Sequence, residues 1–208
     1  MAPEKINWFK RLYTFDEVEN TKRFYTDLTD DDITYLEAAT RRDFETCTSL
    51  IDKYFRKKMP NTVVMHQVWR RDNKPDIWEY KINRRNKSDA GWLGEGVYFY
   101  GVEEEAWKAI DYGYFINGFY INVEHPFIMD EDIHSAIVHA NDAKVSERMT
   151  DYLKNHIMDG VLWTGDGREE WCVLEANQLK RASITRDDKG RVIPISMRFD
   201  LSKKDNRY

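Results

Sequence analysis

The sequence is poor in cysteine and has no long apolar run. Cys47 and Cys172 are the only cysteines among 208 residues, so we expect neither a disulfide framework nor a four-cysteine metal site, which is typical of a reducing cytosol. No apolar stretch approaches the roughly 20 residues that a membrane-spanning helix needs, and the first residues lack the apolar core of a signal peptide. We therefore expect a soluble, cytoplasmic protein without a membrane partner.

The chain also lacks an excess of positive charge. It has 32 lysines and arginines against 37 aspartates and glutamates, a formal net charge of -5, which disfavours unassisted binding to a nucleic-acid backbone. The basic stretch 81–87 leaves a local contact with nucleic acid open. A hydrophobic content of 41% and an aromatic content of 14% exclude a disordered chain and favour one buried core.

The first 60 residues have the pattern of amphipathic helices. Thr29 precedes three aspartates, as a helix N-cap does, and apolar residues follow it at helical spacing. A second apolar stripe runs from Phe44 to Phe55, and Pro60 limits its length. We predict that residues 1–60 form a helical segment packed on the core of the protein.

The periodicity changes after Pro60. Residues 62–70 are β-branched and aromatic and contain His66, which is typical of a strand. The chain that follows predicts a mixed α+β fold without strict βαβ alternation, and residues 203–207 are expected to fray. Further strands are predicted at 77–82, 96–100, 114–123, 160–164, 170–175 and 191–199, and helices at 102–112 and 145–158.

Closely spaced glycines and aromatic residues occur together between Gly91 and Gly101. Glycine lets a backbone pass close to a ligand, and aromatic rings can stack on a planar one. The stretch is neither a P-loop nor a dinucleotide-binding fingerprint. A hairpin that enters a core strand explains the same pattern.

Two polar residues stand at the ends of predicted apolar strands. His66 within a strand is more often a hydrogen-bonded core residue than a ligand or a base, whereas Glu170 at the mouth of a buried strand needs a partner or a role. Glu169 is expected to be solvated, because adjacent strand residues point to opposite faces.

A metal site is not expected. His125, His134 and His139 lie close in sequence to three acidic residues, but their spacing matches no helical pair of metal ligands. We predict an acidic, solvated loop over this stretch. Serine or cysteine nucleophilic catalysis is also disfavoured, because no nucleophile elbow is present and Cys172 lies in a predicted core strand.

Three motifs in order resemble the ADP-ribosyltransferase superfamily: His66, the sequence from Gly94 to Phe99 followed by a helix, and the sequence from Glu170 to Leu174. They look like its His-Tyr-Glu branch, to which the diphtheria-toxin-like and poly-ADP-ribose-polymerase-like enzymes belong. The likeness covers about residues 60–185, and its end resembles domains carried by phages, prophages and bacterial toxin cassettes. It implies a catalytic domain over 61–202, with two small packed β-sheets forming a cleft for NAD+.

The resemblance also implies roles for single residues. Glu170 would accept a hydrogen bond from the nicotinamide ribose and stabilise the positive charge that develops as nicotinamide leaves. His66 would bind the adenosine ribose, and Tyr98 would stack on the nicotinamide ring. The further residues implied in NAD+ binding are Gln67 through its backbone, Gly94 and Gly96, and Trp107 or Tyr112 as a second wall.

The function implied is mono-ADP-ribosylation, a pentosyl transfer from NAD+ as co-substrate to a macromolecule, with protein favoured over nucleic acid as the acceptor. Such a transferase would act in a bacterial cell as a bacterial or phage toxin, effector or host modifier, with an antitoxin or immunity protein as a further partner. The alternatives are an NAD+ glycohydrolase and a catalytically inactive NAD-binding or interaction domain.

Two departures from the family pattern concern the predicted histidine strand. Gln67 follows His66 where many members have glycine, and Arg70 permits the competing Arg-Ser-Glu branch. That branch also expects a serine-rich strand and two suitably spaced glutamates. Neither is present, so the His-Tyr-Glu branch is favoured.

Overall fold

The computed structural model describes residues 16–80, 91–108, 115–140 and 142–208. Tyr112 and the basic stretch 81–87 lie outside the described residues. Helices α1 (Glu17–Lys22), α2 (Asp30–Arg41) and α3 (Phe44–Lys58) come first. Thr29 caps α2 in a reciprocal capping box with Asp32, and Asp43 caps α3, so backbone amides at both helix starts have acceptors. The helices predicted from Thr29 and Phe44 are confirmed.

The described strands form one mixed sheet of seven strands in the order β4-β5-β6-β2-β1-β3-β7. Only the β4–β5 pair is parallel among these neighbours. The α+β class is therefore confirmed, but the described strands do not divide into the two small sheets that the resemblance implies, because each strand pairs with its neighbours across the whole order. The strands are β1 (Val68–Asp72), β2 (Val97–Tyr100), β3 (Phe115–Ile121), β4 (Pro126–Met129), β5 (Gly160–Gly165), β6 (Arg168–Val173) and β7 (Leu179–Arg181).

Three further helices lie between the strands: α4 (Glu103–Lys108), α5 (Glu131–Ala140) and α6 (Ala143–Asn155). The predicted acidic loop is wrong, because α5 occupies most of it. The Asp130 carboxylate accepts a hydrogen bond from the Ile133 amide at 2.8 Å, and Ile137 of the same helix is buried. Among the described residues, no helix is long and apolar enough to cross a membrane.

The two faces of the sheet bury different cores. Trp171, Val97 and Phe99 belong to one buried cluster, and we call their side of the sheet the Trp171 face. Cys172 belongs to another, together with residues of α5 and α6, and we call that side the Cys172 face. Alternation along β6 therefore places Glu169 on the Trp171 face and Glu170 on the Cys172 face.

A third core joins the N-terminal helices to the sheet. The rings of Phe55 on α3 and Tyr120 on β3 stack with their centroids 4.2 Å apart. Residues that follow β7 complete this cluster, among them Val192, Ile195 and Phe199. The described helices of the predicted 1–60 segment thus pack on the sheet through Tyr120 and on the C-terminal region, while residues 1–15 lie outside the described residues.

Several predicted strand boundaries are wrong. The strand predicted at 62–70 begins at Val68 and ends at Asp72, so His66 precedes it. No strand occupies the described part of 77–82. The stretch 191–199 carries an isolated bridge between Arg186 and Val192 and a short 3-10 turn rather than a strand.

The predicted frayed tail is also wrong, because the C-terminus is docked. Asn206 is 1% exposed and Arg207 is 7% exposed. The Asn206 carbonyl accepts a hydrogen bond from the Arg181 amide of β7 at 2.8 Å. The Arg207 guanidinium pairs with Asp205 and Asp188, each at 2.7 Å. These contacts fix the end of the chain against β7, at one edge of the sheet.

Candidate active site

The three motifs that resemble the transferase family lie on neighbouring strands. Tyr98 is in β2, which lies between β1 and β6 in the sheet. Glu170 is in β6, directly opposite Tyr100 of β2, and His66 lies two residues before β1. Segments more than 30 residues apart in sequence therefore meet at the centre of the sheet.

The imidazole of His66 contacts the carboxylate of Glu169. Its Nε2 lies 2.9 Å from Oε1 of Glu169, and the two side chains are 48% and 34% exposed. The indole Nε1 of Trp171 donates a hydrogen bond to the same oxygen. The expectation that Glu169 is solvated is therefore wrong, because its position beside Trp171 gives it two partners.

A glycine opposite makes room for this carboxylate. A Cβ at Gly101 would lie 2.6 Å from the carboxyl carbon of Glu169. The Gly101 amide also donates to the Glu169 carbonyl at 2.7 Å. Gly101 is thus needed for the close approach of its backbone to the Glu169 side chain.

Glu170 lies on the other face in a different charged environment. Burial raises the pKa of its carboxyl group, Arg168 opposes the rise and Glu105 adds to it. The pKa of the neighbouring Tyr100 is also raised, first by burial and then by the charge of Glu170, while Arg71 opposes that rise. Glu170 is therefore a half-buried carboxylate between a phenol and arginines.

Tyr98 shares the Cys172 face with Glu170, whereas the contact of His66 is with Glu169 on the Trp171 face. The resemblance implies that His66, Tyr98 and Glu170 all contact one NAD+ molecule, but their side chains do not all lie on one face of the sheet. The three residues share a region of the sheet, but His66 approaches it from the opposite side.

The hydroxyl of Tyr98 is engaged in the glycine-containing turn. It accepts a hydrogen bond from the Leu93 amide at 2.8 Å and donates one to the Gly94 carbonyl at 2.7 Å. Gly94 has a φ of +101°, and a Cβ at Gly96 would collide with the Val173 carbonyl. Both glycines therefore have structural reasons to be glycine, as the hairpin interpretation anticipates.

Two further predicted ligand residues, Gln67 and Trp107, belong to different segments of the chain. Gln67 is half-buried and lines a cavity with Trp69 and Gly118. Trp107 is 55% exposed on α4, and its Nε1 donates to the Glu103 carboxylate at 3.0 Å. Tyr112 lies outside the described residues.

Arg70 belongs to a buried polar network. Its Nε donates to Asp72 and its Nη1 to the Tyr98 carbonyl, both at 2.9 Å. Asp72 is 3% exposed and also accepts hydrogen bonds from Tyr80 and Asn117. The arginine that would suggest the competing family branch therefore has a structural partner.

The described residues contain no group of three His, Cys, Asp or Glu side chains arranged to hold a metal ion. Of the three histidines considered, His134 stacks on the Trp163 ring at 4.1 Å. The Nδ1 of His139 lies 2.7 Å from the carbonyl oxygen of Ser135, one turn earlier in α5.

Sequence reasoning missed Glu169, Tyr100 and Trp69 as site residues. Trp69, Tyr100 and Glu170 are successive cross-strand partners in one row, so their side chains share the Cys172 face. Alternation identifies Tyr100 as a neighbour of Tyr98 on the same face. The strand register, which a single sequence does not specify, was the missing information.

Comparison with models of protein families, with curated proteins and with solved structures finds no match to this chain.

Proposed function

We propose that the protein is a mono-ADP-ribosyltransferase that transfers ADP-ribose from NAD+ to a macromolecular acceptor. The observation that carries the proposal is the row formed by Trp69, Tyr100 and Glu170 across three adjacent strands. It gives a half-buried carboxylate beside aromatic rings, which suits the planar pyridinium ring of NAD+ and the positive charge that passes to the ribose as neutral nicotinamide leaves. Tyr98 lies on the same face, two residues before Tyr100 in β2.

The chemistry would depend on Glu170. The bond between the ribose carbon C1′ and the nicotinamide nitrogen breaks, its electron pair leaves with nicotinamide, and positive charge develops on the ribose. A carboxylate beside that ribose stabilises the transition state more than the ground state, where this charge is absent. The acceptor nucleophile then bonds to C1′ and releases its proton.

His66 and Glu169 would act as a pair in the same reaction. If Nε2–H donates to the Glu169 carboxylate, Nδ1 is left to accept a hydrogen bond from a ribose hydroxyl. The contact with Glu169 and the close approach of Gly101 to that carboxylate together hold the ring in place. Glu169 is in this proposal a positioning residue for His66.

The acceptor proposed is a protein, because the net charge of -5 disfavours binding to nucleic acid. The proposed setting is a bacterial cell, in which the enzyme acts as a bacterial or phage toxin, effector or host modifier controlled by an antitoxin or immunity protein. With water as the acceptor, the same chemistry would make the protein an NAD+ glycohydrolase.

One observation favours an inactive NAD-binding or interaction domain as a second candidate. Tyr98, Gly94 and Gly96 are each accounted for by the turn before β2. His66 and Glu170 also lie on opposite faces. A protein that kept this sheet for packing alone would have the same contacts.

Incubation with radiolabelled NAD+ and a bacterial lysate separates these functions. A transferase labels macromolecules, a glycohydrolase releases free ADP-ribose, and an inactive domain leaves NAD+ intact. Protease and nuclease treatment of the labelled fraction then distinguishes a protein acceptor from a nucleic acid.

Glu170→Gln and Glu169→Gln form a matched pair for the same assay. We expect Glu170→Gln to keep NAD+ binding and to lose about a hundredfold or more in rate, because it removes the charge that the transition state requires. Glu169→Gln should lose less, since it acts through His66. Equal rates for Glu170→Gln and the wild type would refute the proposed role of Glu170.

A further inference from the structure

A cavity of about 410 Å³ lies between α3 and the sheet. The sheet contributes Gln67, Trp69 and Gly118, and the chain after β7 contributes residues 182–184. The wall supplied by α3 consists of Phe44, Cys47, Thr48 and Ile51. The volume is within the range of small-molecule sites and is large enough for a nucleoside.

Two aromatic rings border the cavity. Phe44 begins α3 and is 64% exposed, although large apolar side chains are usually buried. Trp69, half-buried on β1, borders it from the sheet. Gly118 is the cross-strand partner of Trp69, and a Cβ there would lie 3.2 Å from the Trp69 ring. The same Cβ would lie 3.1 Å from the side-chain oxygen of Gln67, so a glycine at position 118 lets both side chains lie close to β3.

The polar groups around the cavity are neutral. Its lining contains the amide of Gln67 and the hydroxyls of Thr48 and Ser183, and no charged side chain among the described residues. Aromatic walls with a few hydrogen-bonding groups suit an uncharged planar ring that carries ring nitrogens or an amide. Such walls do not suit a phosphate or a charged peptide.

The cavity lies on the same side of the sheet as Glu170. The side chain of Trp69 lies on the Cys172 face, because Trp69 is the cross-strand partner of Tyr100. Tyr100 is in turn the cross-strand partner of Glu170, so all three side chains are on that face. With strands about 4.8 Å apart, Trp69 and Glu170 are separated by about 10 Å across the sheet. One nucleotide could span this distance.

From these observations we infer that the cavity between α3 and β1 binds a nucleobase-type heteroaromatic ring between Phe44 and Trp69. One wall comes from residues 44–51, outside the stretch that resembles the transferases, so the site gives the N-terminal helices a role in ligand binding. With the protein acceptor proposed above, the ring would belong to NAD+; a nucleoside of a nucleic-acid acceptor is the other source, and the binding experiment separates the two. The inference rests on the cavity itself and does not require transferase activity.

Calorimetry with adenosine, nicotinamide, thymidine and NAD+ tests the inference without turnover. We expect saturable binding of at least one of them. Phe44→Ala should weaken it about tenfold or more through lost stacking, and Gly118→Val should abolish it by filling the cavity. Phe44 is exposed, so its removal should leave folding intact even if Gly118→Val does not fold.

Phe24→Ala is the matched control, because Phe24 is also an exposed phenylalanine, 60% exposed and outside the cavity lining. It should bind as the wild type does. Nucleoside binding in the presence of saturating NAD+ assigns the ring to an acceptor, whereas competition with NAD+ assigns it to the dinucleotide. No saturable binding, or binding that Phe44→Ala leaves unchanged, overturns the inference whatever the transferase assay gives.

Discussion

Nε2 of His66 lies 2.9 Å from Oε1 of Glu169, although the residues are 103 positions apart in the chain. The contact depends on sheet order, because β2 separates the strand that follows His66 from the strand that carries Glu169. It reaches across the end of β2, where Gly101 follows the last strand residue. A side chain at position 101 would meet the Glu169 carboxylate.

Gly101→Ala should therefore displace Glu169 and lower the free energy of unfolding. We expect a loss of about 1–3 kcal/mol, the usual cost of forcing a methyl group into filled space. Denaturant titration measures the loss. The Trp171 indole N–H resonance in an NMR spectrum should shift as its acceptor moves.

The double variant Gly101→Ala/Glu169→Ala is the control for this steric argument. Truncation of Glu169 removes the carboxyl group that the new methyl group would meet but keeps the Glu169 Cβ, which would lie 2.7 Å from it, so only part of the cost of Gly101→Ala should disappear in that background. Strictly additive losses would show that the methyl group acts somewhere else.

Tyr98→Phe separates the structural role of this tyrosine from a stacking role. The variant keeps the ring and removes the hydroxyl, which leaves the amide of the buried Leu93 without its acceptor. An unsatisfied buried amide costs about 1–3 kcal/mol, so the free energy of unfolding should fall by that amount. Binding of NAD+ by the folded variant should be unchanged if the ring acts by stacking.

Tyr152→Phe provides the comparison, because Tyr152 is 55% exposed on α6. Its hydroxyl can exchange protein contacts for water, so chemical denaturation should give a free energy of unfolding within about 0.5 kcal/mol of the wild type. Similar losses in both tyrosine variants would contradict the role assigned to the Tyr98 hydroxyl.

Local pattern predicted the helices after Thr29 and Asp43 well, but it missed α5 and the contact of His66 with Glu169. Thr29 and Asp43 start helices because their side chains bond to nearby amides, an interaction within a few residues of sequence. The contact of His66 with Glu169 was not predicted, because it depends on which strands become neighbours. The docked C-terminus was also missed. It depends on the ion pair between Arg207 and Asp188, and a charged terminal sequence does not reveal such a pairing.

The segments that resemble the transferase family show the same dependence on which strands become neighbours. The hydrophobic pattern of β6 indicated a buried strand, and the alternation rule correctly placed Glu169 and Glu170 on opposite faces. What the rule leaves open is which face meets His66. The register Tyr100–Glu170 and the late start of β1 at Val68 decide it, and both depend on long-range pairing.

Lys180 predicts an unusual dependence of stability on pH. Its ammonium group is almost fully buried and donates hydrogen bonds to the carbonyls of Asp200 and Lys203 at 2.7 and 2.9 Å. Burial lowers the pKa of Lys180 to about 8, and Asp200 and Asp205 only partly oppose the effect. A neutral amine keeps two N–H donors, so deprotonation preserves both hydrogen bonds.

The unfolded chain holds its proton on this lysine up to its ordinary pKa of 10.5. Between about pH 8 and 10.5 the unfolded state therefore binds more protons than the folded state, and the free energy of unfolding rises with pH. The contribution of this one group is about 3 kcal/mol at most over the whole interval. Below pH 8 the contribution stays constant.

Lys180→Met isolates the effect, since it keeps the length of the side chain and removes the titrating group. Urea titrations at pH 7.5, 8.5 and 9.5 should show the wild type gaining stability relative to the variant at each step. The comparison between the two proteins cancels the effect of Cys47, because both contain it. Burial raises the pKa of Cys47 to about 11, so its titration lowers the free energy of unfolding of both proteins above about pH 9. A constant difference between wild type and variant from pH 7.5 to 9.5 would mean that folding does not depress the pKa of Lys180.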